Sequence, residues 1–279
     1  PTFHFSQNNL QDYVDCPRRF ELRHLLRLEW PALQSEPVLE HERQMELGQR
    51  FHQMVQQYFS GLPAELLAAQ AASDPDLERW WQAFLDSAIL EHLPANRFPE
   101  RQLSAPFAGF RLLAQFDLLA IQPGGKALIL DWKTGAQYGK PNPTRMKTRL
   151  QSRLYPFLLC LGGAQLNALQ PIRPKQVEMI YWFSEHPNQP ISLPYSAEQF
   201  AEDEHYLQQL IQQIKALAAS PTPAFLLTND ERKCAFCNYR SLCQRGAQAG
   251  DLADLPEDLE PDSDQPLNLD FENIEPISL

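Results

Sequence analysis

Ala127-Leu128-Ile129-Leu130-Asp131-Trp132-Lys133 is a short apolar run that breaks abruptly into charge. It follows the turn signal Gln122-Pro123-Gly124-Gly125-Lys126 and precedes Thr134-Gly135, so it reads as a strand buried on both faces. Strand side chains alternate, which puts Asp131 and Lys133 on the same face. The run Leu112–Ile121 before the turn is also strand-like, and the two together predict a hairpin. That hairpin brings Asp117, fourteen residues before Asp131, alongside it. Two carboxylates and one ammonium then gather where a hydrophobic strand emerges.

Such a cluster suits metal-assisted hydrolysis of a phosphodiester. Carboxylate oxygens hold Mg²⁺ or Mn²⁺, the metal activates water and stabilises charge on phosphate, and a lysine orients the water and the phosphate. An ordinary ion pair at a strand end would account for Asp131 and Lys133 equally well. The residues that follow favour the chemistry. From Trp132 to Val177 there are eight cations and no Asp or Glu: Lys133, Lys140, Arg145, Lys147, Arg149, Arg153, Arg173 and Lys175. A concentrated positive face points to nucleic-acid phosphate, the alternative being a basic helix solvated on one side. Residues 145–161 are expected to be helical, and Gln151 and Tyr155 share a face of that helix.

Asp117, then Asp131-Trp132-Lys133-Thr134-Gly135, then Gln151-Ser152-Arg153-Leu154-Tyr155 resembles the RecB-type branch of the PD-(D/E)XK nucleases, read as D, D-x-K-T-G and Q-x-x-x-Y. Gly48-Gln49-Arg50-Phe51-His52 is similar to the helical G-x-x-x-H element of that branch. The resemblance implies an α/β restriction-endonuclease-like core, with a mixed central sheet flanked by helices. It implies that His52, Asp117, Asp131 and the Trp132 carbonyl ligate Mg²⁺ or Mn²⁺, and that Lys133 is the catalytic lysine. Gln151 and Tyr155 would contact DNA or organise the site. Glu100 stands where the branch often has a Glu. Ala114 departs from the pattern, which usually has a small turn residue, often Gly, three positions before the motif Asp.

Five cysteines are too few for a disulfide scaffold, and three of them, Cys234, Cys237 and Cys243, lie within ten residues. Their C-x₂-C-x₅-C spacing reads as metal ligation. Cys16 is the natural fourth ligand; Cys160 sits in the apolar run Phe157-Leu158-Leu159-Cys160-Leu161 and reads as a buried free thiol. Four thiolates could hold Zn²⁺ or a [4Fe–4S] cluster, and spacing does not decide. Residues 6–20 and 234–243 resemble the two halves of the iron–sulfur subset of RecB-type nucleases, which includes AddB-like recombination nucleases and CRISPR-associated adaptation nucleases. Asn238 replaces the Pro that often follows the third Cys. The resemblance favours [4Fe–4S], with the cluster joining the two ends of the domain.

Around this core, residues 6–28, 40–60 and 64–92 read as helices that wall the site, with breaks at Pro17 and Ser73-Asp74-Pro75. Residues 1–250 form the expected nuclease domain. Residues 251–279 hold ten acidic residues and no Lys or Arg, and are expected to be a disordered acidic tail. Without those ten, the 35 acidic residues fall to 25 against 24 Lys and Arg, so the formal charge of −11 belongs almost wholly to the tail. Within it, Gln265-Pro266-Leu267-Asn268-Leu269-Asp270-Phe271 is similar to peptides that dock on the bacterial sliding clamp. No apolar run is long enough for a membrane helix, and Pro1-Thr2-Phe3-His4 has no signal-peptide character, so the expected location is cytoplasmic. The expected function is a metal-dependent DNA exonuclease acting on single strands or ends in repair or recombination. The alternatives are a CRISPR-adaptation nuclease, a non-cutting nucleic-acid-binding or scaffold module, and a zinc-stabilised structural protein.

Overall fold

The computed structural model describes residues 3–29, 36–135, 140–220, 225–235 and 237–246, with the side chains of 36–42 left aside. The acidic tail and its clamp-like peptide lie outside the described residues. The elements are β1 (His4–Ser6), α1 (Gln7–Asp15), α2 (Pro17–Phe20), α3 (Glu36–Phe59), α4 (Ala64–Ala71), α5 (Pro75–Leu85), β2 (Asn96–Phe107), β3 (Phe110–Ile121), β4 (Ala127–Lys133), α6 (Pro143–Thr148), α7 (Leu150–Gly162), β5 (Val177–Phe183), β6 (Ile191–Pro194) and α8 (Ala197–Ala218). None of the described helices is long and apolar enough to cross a membrane.

The sheet is mixed, as expected. β2 and β3 form a long antiparallel hairpin, β3 and β4 pair antiparallel, β4 and β5 pair parallel, and β6 closes the edge. All seven residues of β4 are buried, as its continuous apolar run requires. Because β2 occupies one edge of β3 throughout, β1 and β4 share the other. β1 pairs with Arg111–Leu113 and β4 with Leu118–Ile121. Ala114–Asp117 therefore has no strand on that edge among the described residues, and the sheet opens there.

Alternation along β3 also changes phase at this opening. Leu112, Ala114 and Phe116 face the core formed with α1, α7 and α8, whereas Leu118 and Ala120 face the core formed with α3, α4 and α5. β2 shifts at the same level: the ladder pairs Pro99 with Leu118 and Arg101 with Phe116 but skips Glu100 opposite Asp117. Glu100 has φ +47°, a left-handed conformation that costs a non-glycine residue about 1–3 kcal/mol. Local strain of this kind persists only where the surroundings over-determine it.

One reading of the sequence needed correction. Ser6 caps α1, as expected, through a reciprocal bond pair with Asn9 (3.0 and 3.4 Å), and residues 4–6 ahead of it pair with β3. The helix expected over 145–161 is two helices, because Arg149 is extended (φ −65°, ψ 144°). That corner lets α7 start at the open end of the sheet with Gln151 in its first turn. On the opposite face, Phe51 of α3 stacks on Trp182 (5.7 Å, 2°) and Phe84 meets Trp132 edge-on (5.4 Å, 88°). Buried aromatic packing of this kind fixes α3 against the sheet and so fixes where His52 stands.

Candidate active site

β4 delivers Asp131 and Lys133 to the α7 face, as alternation predicts. Lys133 Nζ lies 2.9 Å from Asp131 Oδ2 and donates to Gln151 Oε1 at 3.1 Å, while Gln151 Nε2 donates to Asp131 Oδ1. All three side chains are buried. Tyr181 of β5 supports them: its hydroxyl bonds Ser152 Oγ (2.7 Å) and donates to Gln151 Oε1 (3.4 Å), and its ring lies 5.6 Å from Lys133 Nζ. A buried ammonium with this many fixed partners has one orientation, which is what a catalytic group needs. Tyr155 sits one turn deeper, packed on Phe116 (4.8 Å) and donating to Gln7 Oε1 (3.3 Å). It braces the start of α1 against α7.

Asp117 stands at the phase change in β3. Its Oδ2 accepts the Trp132 amide at 2.9 Å, taking the place of the ladder bond that β3 no longer supplies. From α3, His52 places Nδ1 3.5 Å from Asp117 Oδ2 and Nε2 3.0 Å from the Trp132 carbonyl. Glu100 completes the group: one ligand atom each from His52, Glu100 and Asp117 lies within 4.8 Å of the others. Gln115 Nε2 donates to Glu100 Oε2 at 2.6 Å. Burial works against the charged form of His52, but the Asp117 carboxylate, with Glu100 and Asp131, outweighs it and holds the imidazole up at about 9. Burial and the like charge of Asp117 push Glu100 up to about 7. Asp117 stays below the usual carboxylate range despite its burial, because His52, the Trp132 amide and Lys133 stabilise its anion.

The glycine four residues before His52 has a steric reason. A Cβ on Gly48 would stand 2.8 Å from Thr134 Oγ1, so only glycine lets α3 come this close to the end of β4. Gly48→Ala is expected to displace α3 or Thr134 and to loosen His52. Metal affinity should fall about tenfold or more, with a stability loss of about 1–3 kcal/mol, measured by calorimetric titration with Mn²⁺ and by thermal unfolding. Unchanged affinity would show that the close approach does not position His52.

The four cysteines that the spacing singled out come from opposite ends of the described chain. Cys16 is buried at the break between α1 and α2, Cys234 is buried, Cys237 and Cys243 are half-buried, and all are free thiols. The Arg18 amide donates to the Leu226 carbonyl (3.1 Å), Tyr239 Oη donates to the Leu28 carbonyl (2.8 Å), and Lys233 lies 3.2 Å from Asp15, so the two ends are joined. Burial raises all three C-terminal thiols, Cys237 to about 11, and the charge of Cys16 adds to the rise in each. Cys160 lies apart in α7, its thiol raised to about 12 by burial.

Sequence reasoning gave Glu100 little weight and did not see Tyr181 or Gln115. The hairpin register carried the signal for Glu100, since a strand before β3 in tight register puts it opposite Asp117. The basic stretch is also less uniform than its composition suggests. Lys140 and Lys147 are exposed, but Arg153 pairs with Asp203 (3.3 Å) and lies over the Tyr206 ring (4.6 Å), and so ties α7 to α8.

The model of the PD-(D/E)XK nuclease superfamily matches residues 4–244. Among solved structures, the "putative exonuclease" of Eubacterium rectale is similar in fold: TM-score 0.50 at 8% identity, over 82% of this chain and 85% of that one. SSO0001 aligns over 87% of this chain and 86% of its own at 14% identity, with a TM-score of 0.39 that carries no argument. No curated protein matches the sequence.

Proposed function

The chain belongs to the PD-(D/E)XK nuclease superfamily, and from that membership we propose that it is a divalent-metal-dependent DNA nuclease acting on single strands or ends in repair or recombination. The observation that carries this reading is the convergence of His52, Glu100 and Asp117 to within 4.8 Å beside the buried Asp131–Lys133–Gln151 group. Two carboxylates and an imidazole are a donor set that fits Mg²⁺ or, better, Mn²⁺. His52, Glu100, Asp117 and the Trp132 carbonyl would hold the ion, with Asp131 next to them. When bound, the ion supplies positive charge to the phosphate and lowers the pKa of a coordinated water. Lys133 orients the attacking water and holds a phosphoryl oxygen. Gln151 fixes the lysine and Asp131 in register, and Tyr155 keeps α7 in place. Exposed Lys140 and Lys147 lie in the segment between β4 and α7 and meet the backbone of the strand. The Eubacterium rectale neighbour, by its description, supports action at ends.

The test is to incubate the protein with end-labelled single-stranded DNA and Mn²⁺ or Mg²⁺. Shortening from the labelled end that chelation abolishes is the expected result. Binding without cleavage under both metals would transfer the assignment to a non-cutting nucleic-acid-binding module.

Metal binding must expel the protons held by His52 and Glu100. Affinity for Mn²⁺ is therefore expected to rise about tenfold per pH unit between about pH 7 and 9, where His52 alone titrates, and more steeply below 7, where Glu100 joins it. Titration calorimetry in buffers of different ionisation enthalpy counts the released protons. A flat profile would remove His52 from the ligand set.

We also assign the four cysteines to the iron–sulfur subset of RecB-type nucleases, with a [4Fe–4S] cluster closing a single unit over residues 1–250. The donor set supports this: four free thiols from two chain ends that a backbone bond, a tyrosine hydroxyl and an ion pair bring together. Iron and sulfide analysis tests it, and zinc alone would sink it.

A further inference from the structure

The loop that carries Cys234, Cys237 and Cys243 is folded around one side chain. Its backbone turns are the bonds from the Cys237 amide to the Cys234 carbonyl (3.2 Å), from Arg240 to Cys237 (3.0 Å) and from Cys243 to Tyr239 (2.9 Å). Arg240 lies between the second and third cysteines. Its Nε donates to the Arg245 carbonyl at 2.6 Å and its Nη1 to the Ala235 carbonyl at 3.4 Å, while the Arg245 amide returns a bond to the Arg240 carbonyl at 2.9 Å. One guanidinium thus bridges the beginning and the end of the cysteine loop. The chain then closes over it: Gly246 has φ +100°, and a Cβ there would stand 3.3 Å from Arg240 Nη2.

The cations around the thiols differ in how they are held. Arg18 is paired with Glu21 and Arg245 with Glu231. Arg19 and Arg23 pair with Asp12, and Arg19 and Lys233 pair with Asp15. Arg240 is held by neutral carbonyls, and among the described residues it forms no ion pair with a carboxylate. The charge of Arg240 bears on the Cys234 thiol. A partly buried cation is costly unless anions answer it, and four thiolates around a core of charge +2 answer it with two negative charges.

We propose that Arg240 is the positioning residue of the four-cysteine centre: it preforms the C-x₂-C-x₅-C loop and supplies the positive charge against which the thiolates hold a bound cluster. The inference rests on the cluster reading above. A guanidinium suits both duties, because its planar fork reaches two carbonyls at once and it keeps its charge when desolvated.

The experiment compares the full-length wild type with Arg240→Met and Arg240→Lys, all purified anaerobically. Iron per chain, the rate of iron loss to a chelator and the midpoint potential of the centre are measured. Arg240→Met is expected to lose iron at least ten times faster than the wild type. Its potential should fall by about 59 mV, a tenfold change in the ratio of reduced to oxidised centres for a one-electron couple. Arg240→Lys keeps the charge but cannot bridge both carbonyls, so it should retain the potential and lose iron at an intermediate rate. A methionine variant with wild-type retention and potential would overturn the proposal. So would a lysine variant as impaired in potential as the methionine one. If the wild type carries zinc, the cluster reading fails, and the same comparison of zinc retention still decides the role of Arg240. A wild type holding neither metal overturns both.

Discussion

Lys133→Met is expected to lower the cleavage rate by about a thousandfold or more while leaving DNA binding within a few fold, because positioned proton and charge handling contributes about 10²–10⁴ to such reactions. The side chain is 6% exposed, and its three hydrogens are aimed by Asp131 and Gln151. The substitution also leaves Asp131 buried without its cation, which costs about 3–5 kcal/mol, so loss of activity and loss of fold must be separated. Asp131→Asn combined with Lys133→Met removes both charges from the pair. Its melting temperature should recover most of the deficit while cleavage stays absent. Single-turnover assays on end-labelled single strands, run well below the lower melting temperature, read the chemistry. Equal cleavage by Lys133→Met and wild type would remove Lys133 from the reaction.

The second large effect is expected at Cys16. Cys16→Ser removes one of four thiolates and opens a connection between residue 16 and residues 234–243. A link that closes a loop of more than a hundred residues stabilises by about 4–5 kcal/mol in the chain-entropy account, which for a domain of this size corresponds to a fall of about 10 °C or more in melting temperature. Bound iron should fall with it. Cys160→Ser is the control: that thiol is half-buried in α7, apart from the other four, and its replacement should leave iron content unchanged. Iron loss in Cys160→Ser together with retention in Cys16→Ser would reverse the assignment of the fourth ligand. Calorimetry and iron analysis on the two variants decide between these outcomes.

The sequence by itself determined the strand Ala127–Lys133, because an apolar run this short, set between the Pro123-Gly124-Gly125 turn and Gly135, is too brief for a buried helix. Pleat alternation then put Asp131 and Lys133 on one face, where they lie 2.9 Å apart. The hairpin turn set the register that pairs Leu118 with Leu130, the neighbours of Asp117 and Asp131. These are short-range rules, with periods of two residues and turns of a few, and they act within one segment of chain.

Only the tertiary structure decided the rest. His52 reaches the Trp132 carbonyl across eighty residues because Phe51 stacks on Trp182 and Gly48 lets α3 press against Thr134. Alternation along β3 fails at Asp117, where β1 and β4 divide the same strand edge and leave a gap between them. Across from it Glu100 takes a left-handed backbone that no local preference of glutamate favours. Sequence periodicity assumes an unbroken ladder, and the site lies where the ladder breaks. The position of the break depends on how three strands and two packed cores share one edge, which is a property of the assembled sheet and not of any segment within it.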